Sequence, residues 1–369
     1  MEFKSNFCLV TAILPKENAN DIIKQSVPAE INSLCIISAR GSIYKDKWYQ
    51  KFTPSLNPEQ TVIEILLPNN LADQIVQKIA EAAHLQSSGT GAVYCTPCEK
   101  SLFVSENEFE IASIEKPESE IHFRNNYSGI YCIIQKNLAD SVALAAMRAG
   151  SPGPTVVFGQ GRGIREKLGL LRVAISPEKE LVRVVVDNYD VEPVFEAMVS
   201  EGKLDTPGMG FIYIMPVSKG LVNIASVAAG KHELATNHQI IKAIDEIKGG
   251  SEWRMNLNSS NKVQRKYLND LVRLTCVTER GMGDALTQAA MASGAPGASI
   301  TYGVKRKSNE TQGTTGIAVN QEVEIIEMTL APKVVDDIVT TMLKAADENK
   351  NNNLYFYTQK VPKALTYLG

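Results

Sequence analysis

The chain resembles itself, and this constrains its fold more than any single motif. Shifted by 144 residues, Ala146-Met147-Arg148-Ala149-Gly150-Ser151-Pro152-Gly153 falls on Ala290-Met291-Ala292-Ser293-Gly294-Ala295-Pro296-Gly297. The same shift pairs Cys132 with Cys276, Asp140 with Asp284, Gly159 with Gly303 and Arg162 with Arg306. Between positions 130 and 217, 19 of 88 residues are identical without a gap, too many for shared composition to explain. A shift of 119 brings in the N-terminal part: Asp21 falls on Asp140, Pro58-Glu59 on Pro177-Glu178, and Tyr94 on Tyr213. Gly89-Thr90-Gly91 then falls on Gly208-Met209-Gly210. Self-similarity at fixed offsets marks repeated structural units. The chain reads as three copies of a unit of about 90 residues, at 7–98, 126–217 and 270–361.

The second copy shows the expected elements best. Ile130 to Ile134 reads as a strand, and Leu138, Val142, Ala145 and Ala149 recur at helical spacing before Gly150. Thr155 to Phe158 is a short strand, followed by a glycine-rich basic loop from Gly159 to about Ser176. Leu181 to Val186 is a continuous apolar strand, and Val191, Val194, Phe195 and Met198 mark a second helix. After Gly208-Met209-Gly210, Phe211 to Val217 is the last strand. The order β-α-β-β-α-β is that of the ferredoxin-like unit. The expected fold is therefore α+β: three tandem ferredoxin-like (βαββαβ) repeats packed as an intramolecular pseudo-trimer. The corresponding division is repeat 1 at 1–105, an acidic linker at 106–125, repeat 2 at 126–225, a helical linker at 226–268 and repeat 3 at 269–369. In the helical linker, Ile240, Ile241, Ile244 and Ile247 share one face, as a strap or a docking lid would.

Composition narrows the function classes. The net charge of −3 leaves no global basic footprint for nucleic acid. No apolar run approaches the roughly 20 residues of a membrane span, and the first residues lack the apolar stretch of a signal peptide. Six cysteines in 369 residues are too few for a stapled secreted fold, so a reducing cytoplasm is the expected compartment. Cys95-Thr96-Pro97-Cys98 has CxxC spacing without a second pair, which reads as buried strand cysteines. The four histidines fall at unrelated positions, and no nucleophile-base-acid set recurs. The expected protein is not an enzyme and holds no metal.

Two constellations remain. In Gly159-Gln160-Gly161-Arg162-Gly163, glycines would let backbone N–H groups converge on an anion, and Arg162 adds a forked donor. Before the last strand, Gly208-x-Gly210 and Gly89-x-Gly91 read either as a phosphate cradle or as a sharp turn needing positive φ. Copy three has Asn351-Asn352-Asn353 there, which turns but admits a ligand less closely. Glu59, Glu178 and Glu322 recur, either holding the preceding loop through its arginines or starting a solvated strand. In the copy-one loop, Tyr44, Trp48 and Tyr49 alternate with lysines, as a protein-binding surface would.

Ala149-Gly150-Ser151-Pro152-Gly153-Pro154-Thr155-Val156, the Gly159–Gly163 loop, Glu178-Lys179-Glu180-Leu181-Val182 and Pro207-Gly208-Met209-Gly210-Phe211 resemble the PII signal-transduction proteins. The resemblance covers copy two, and the other copies share it through the internal register. It implies a trimer-like assembly that binds an adenine nucleotide (ATP, ADP or AMP) in clefts between units. It also implies that the T-loops signal to a protein target, such as a membrane transporter or a metabolic enzyme. With three copies in one chain, the whole would be a monomer. Carried over, the ligand-binding residues are Thr155, Gly159, Gly161, Arg162, Gly163, Gly208 and Gly210, with Gly89 and Gly91 through the register. The partner-binding loop residues are Tyr44, Trp48, Tyr49, Arg165 and Arg306. The lysine the family carries after Gly-x-Gly is Phe211 here, Ala92 in copy one and Tyr355 in copy three. The paired arginines after the last strand are missing, so a weaker grip, fewer phosphates or another ligand follows. The alternatives are a ligand-free interaction scaffold and a metal- or cation-handling protein.

Overall fold

A computed structural model describes residues 3–44, 57–104, 121–163, 177–224, 227–228, 237–251, 254, 265–306 and 320–367. The first stretch contains β1 (Phe7–Pro15), α1 (Lys16–Ser26), β2 (Leu34–Arg40), β3 (Ile43–Tyr44), β4 (Glu59–Pro68), α2 (Asn69–Ala82), β5 (Gly91–Cys98) and β6 (Lys100–Phe103). The second contains β7 (Tyr127–Gln135), α3 (Ala139–Arg148), β8 (Thr155–Gly163), β9 (Glu178–Asp187), α4 (Val191–Gly202), β10 (Gly210–Pro216) and β11 (Lys219–Asn223). Between them and the third lie β12 (Val227–Ala228) and α5 (Asn237–Lys248). The third contains β13 (Leu268–Glu279), α6 (Gly283–Ala292), β14 (Gly297–Arg306), β15 (Asn320–Leu330), α7 (Val335–Glu348) and β16 (Tyr355–Thr366).

The expectation of three ferredoxin-like repeats packed as a pseudo-trimer is corrected by the hydrogen bonding. Fourteen strands join in one sheet, in the order β11-β5-β1-β4-β2-β14-β15-β13-β16-β10-β7-β9-β8, with β6 on β16. β8 pairs back onto β2, Ala39 facing Val157 and Arg40 facing Val156. Nine strands from β2 to β8 thereby close an antiparallel barrel. A ferredoxin-like unit would keep its own open sheet. Here strands leave their own stretch to pair elsewhere: β14 on β8, β11 on β5, β6 on β16 and β16 on β10. Closure removes free sheet edges, and that consumes the backbone donors three separate sheets would leave open. The glycine-rich loop is corrected too. Gly159 to Gly163 continue β8, with Gly161 opposite Ser299 and Gly163 opposite Gly297.

Strand alternation divides the core in two. On β4, Ile63, Ile65 and Leu67 face the layer formed with α1 and α2. Val62 and Leu66, on the other side, belong to a second cluster with Val157, Leu181, Val277, Val323, Tyr94 and Tyr357. That second cluster draws on all three stretches and fills the barrel interior. Burial on both faces explains why these strands read as continuous apolar runs. The same division recurs in the second stretch, where Val182, Val184 and Val186 pack with α3 and α4.

The strap α5 is tied down mainly by charge. Arg254 bonds Asp190 and Asp245, while Ile247 stays largely exposed. Burial, with Lys242 and Arg254 adding to it, pushes His238 on this helix down to about 4. A histidine whose folded value is depressed favours the docked state above its unfolded value of about 6.5, and that contribution is lost as pH falls toward 4. Burial pushes Asp190 up to about 6, against the pull of Arg254, so it acts in the opposite sense over the lower part of that window. Comparing the native protein with His238→Gln isolates the histidine. The thermal midpoint of the native protein is expected to fall more steeply than that of the variant between pH 7 and 5. Parallel curves would disprove the effect.

Candidate functional site: the junction of β8 and α6

Three arginines at the ends of equivalent strands stitch the barrel. Arg40 on β2 bonds Asp140 of α3 at 2.6 Å, and Arg162 on β8 forks onto Asp284 of α6 at 3.0 Å through Nε and Nη2. Arg306 on β14 instead donates to the backbone carbonyls of Val27 and Pro28, at 2.9 and 3.0 Å, past the end of α1. Cationic groups suit the carbonyl-rich end of a helix. Arg306 was expected in a partner-binding loop. The structure commits its guanidinium to an internal joint.

The β8–α6 junction shows a small polar cleft. Arg162, Asp284, Thr287, Gln288 and Met291 line a space of about 60 Å³. Thr287 is 1% exposed and its hydroxyl has no hydrogen-bond partner. A buried polar group without a partner asks for a water, an ion or a ligand. The positions 144 residues earlier are Ala143 and Leu144, so the Arg40–Asp140 joint has no such lining. With roughly 30 Å³ per water, the cleft takes one small anion or about two waters. Pockets for larger organic ligands run to roughly 300 Å³ or more. A wider surface cleft of about 340 Å³ lies between α7 and Asn351, lined by Val104, Leu343, Lys344, Asp347 and Leu354, without any of the expected site residues.

The other expected ligand residues are dispersed. Thr155 opens β8, is fully buried, and donates to Gln60 Oε1 at 2.9 Å. At Gly159 an added Cβ would lie 2.7 Å from the Ile300 carbonyl oxygen, so the glycine serves the close approach of β14. Gly208 (φ 77°) and Gly210 (φ 155°) form the turn into β10, and Gly89 (φ 88°) and Gly91 (φ 133°) the turn into β5. None of these four lines the cleft at Arg162. The Gly89 N–H donates to the Asn223 carbonyl of β11 at 2.7 Å, so the first turn is already covered. The third is held by its own side chains: Asn353 accepts from Lys305 at 2.9 Å and donates to Gln321 at 2.9 Å. Burial pushes the Lys305 ammonium below its ordinary value. Tyr44 lies on β3, which pairs with β12. Trp48, Tyr49 and Arg165 lie outside the described residues.

Among the described residues each recurrent glutamate has a cationic neighbour, while the loops at 45–56, 164–176 and 307–319 lie outside them. Glu59 meets Lys16 at 3.0 Å, Glu178 meets Lys136 at 2.7 Å, and Glu322 meets Arg280 at 3.8 Å. All three pairs are exposed, and such pairs are worth about 0–1 kcal/mol. All six cysteines are buried and unpaired, Cys95 and Cys98 both on β5. No helix among the described residues is long and apolar enough to cross a membrane.

Sequence reasoning missed a second polar constellation, inside the barrel. Glu64 on β4, Arg183 on β9 and Glu327 on β15 are spaced by 119 and 144 residues. They meet in the interior: Arg183 Nη1 bonds Glu64 Oε1 at 2.5 Å, and Arg183 Nη2 lies 3.7 Å from Glu327 Oε1. Arg273 on β13 bonds Glu327 and reaches Gln359 Oε1 at 3.0 Å. Both guanidiniums stand 5.5 Å from the Tyr131 ring centre. Each of the four charged residues is less than 5% exposed. Burial alone would push the Arg183 guanidinium down, but the Glu64 carboxylate, Tyr131 and Tyr94 together hold the group above its ordinary value. The internal register carried the signal: a sign change at equivalent positions of otherwise apolar strands.

No protein-family profile matches the chain, and no curated protein is similar to it. Among solved structures, a microcompartments protein from Desulfitobacterium hafniense DCB is 11% identical, covers 64% of this chain and 94% of its own, and superposes with a TM-score of 0.17. An aspartate kinase from Synechocystis is 10% identical over 97% of this chain and 44% of its own, with a TM-score of 0.22. An anthrone oxidase-like protein is 11% identical over 62% and 100%, with a TM-score of 0.19. Superpositions this loose establish neither a shared fold nor a shared activity.

Proposed function

We propose that the protein is a non-catalytic regulatory protein that binds a small anion at the β8–α6 junction and signals its occupancy to a partner protein. The observation that carries this reading is the buried, unpartnered Thr287 hydroxyl on a residue lining the same cleft as Arg162. Asp284 occupies the fork of Arg162, and its carboxylate is more than half exposed. An oxyanion would take over the forked donors of Arg162 and accept from Thr287. Asp284 would then be released, loosening the joint between β8 and α6. β8 runs directly into residues 164–176, the stretch expected to meet a partner, so the anion and the partner would bias one equilibrium. The forked donors of Arg162 suit a phosphate-bearing ligand, and the likeness of Ala149–Val156 to PII proteins supports a transporter or metabolic enzyme as the partner. Six buried, unpaired thiols suit a reducing cytoplasm.

Titration calorimetry with inorganic phosphate, AMP, ADP and ATP tests this. Saturable heat is expected from at least one of them, weakened tenfold or more by Arg162→Ala or Thr287→Val. Arg40→Ala, at the joint without polar lining, is expected to leave affinity unchanged. No heat from any of the four, or equal loss in all three variants, would reject the site.

A further inference from the structure

We propose that the interior set Glu64, Arg183, Arg273 and Glu327 favours a barrel closed by one stretch of each kind over any barrel that combines two copies of one stretch with a different one. The three stretches share ancestry, so their strands are similar enough to pair in wrong combinations. A barrel built from two first stretches, or from a first and two thirds, would offer nearly the same apolar surface. Equivalent interior positions carry Glu64, Arg183 and Glu327, and all are buried. Two first stretches with a third would set three glutamates against one Arg273, and a first with two thirds would set three glutamates against two. The native combination places two carboxylates against two guanidiniums, and the charges cancel.

Two further details support a role in selection. Arg183 touches partners from both other stretches, Glu64 and Glu327, so it reports on both neighbours at once. The set is also not optimised for strength: Arg183 Nε, Arg273 Nε and Glu327 Oε2 lack hydrogen-bond partners. Buried ionic groups of this kind often add little stability over apolar ones, but they penalise every arrangement that leaves a charge unmatched.

The test uses the full chain. In E64L/R183L/R273L/E327L the interior becomes uniformly apolar. After unfolding and refolding, light scattering is expected to show species at two or more times 40.3 kDa in a several-fold larger share than in the native protein. E64R/R183E/R273E/E327R inverts every sign and keeps the alternation, and it is expected to refold with the native distribution of sizes. If the apolar variant refolds as cleanly as the native chain, the proposal is overturned. Should the apolar variant show no cooperative unfolding, the decision rests on the inverted variant against R183E. The inverted variant must refold to native size and R183E must not; either failure overturns the proposal.

Discussion

Replacing Arg183 by methionine is expected to cost about 3–5 kcal/mol of folding stability, read as a lower denaturant midpoint with an unchanged slope. The guanidinium is 1% exposed and bonds Glu64 at 2.5 Å, so its removal strands a carboxylate in a closed apolar interior. The gain in packing from methionine does not offset an unmatched buried charge. Arg162→Met is the contrast. Arg162 also forks onto a carboxylate, but the pair is partly exposed, with Asp284 facing solvent. That substitution is expected to change stability by about 1 kcal/mol or less. Equal effects at the two positions would show that the barrel interior admits water to Glu64, and that closure is looser than the strand pairing implies.

Gly210→Val is expected to be nearly as damaging, for a different reason. A Cβ at this position would lie 2.1 Å from the Ile133 carbonyl oxygen, on the strand that pairs with β10. The obstacle is backbone, so no rotamer change relieves it. The φ of 155° adds strain for any residue with a side chain. Opening β7 from β10 to make room would break the sheet at the C-terminal joint, where β10 also pairs with β16. A loss of about 3 kcal/mol or more follows, or no soluble folded protein. Gly163→Ala is the control: nothing lies within 4 Å of the added carbon, and the expected change is about 0.5 kcal/mol or less. A stable Gly210→Val protein would mean that the glycine is kept for a ligand rather than for the turn.

Both predictions concern residues whose local setting was partly visible beforehand. The Gly-x-Gly turns stood out as either a phosphate cradle or a positive-φ turn, and the φ values and the carbonyl at 2.1 Å favour the turn. The apolar run Leu181 to Val186 lies within β9, and the helical spacing through Val142 belongs to α3. Those signals are local, a side chain and its neighbours a few positions away. The stretch from Gly159 to Gly163 failed as a loop because its backbone pairs with β14, and Gly159 sits where a Cβ would meet the carbonyl of Ile300, some 140 residues distant. Thr287 and Gln288 gave no signal, since a threonine and a glutamine on a helix are ordinary until Arg162 arrives opposite them.

By itself the sequence determined the internal register at 119 and 144 residues and the alternation of strands and helices. These follow from side-chain periodicity. Only the tertiary structure decided that the strands close one barrel instead of three separate sheets. It also decided that Glu64, Arg183 and Glu327 meet at its centre. The physical reason is that inter-strand hydrogen bonds join backbone to backbone, and every residue but proline offers the same donor and acceptor. Backbone pairing by itself therefore carries no mark of which edge meets which. Once the ring closes, alternation turns every second side chain inward, and residues remote in sequence become neighbours.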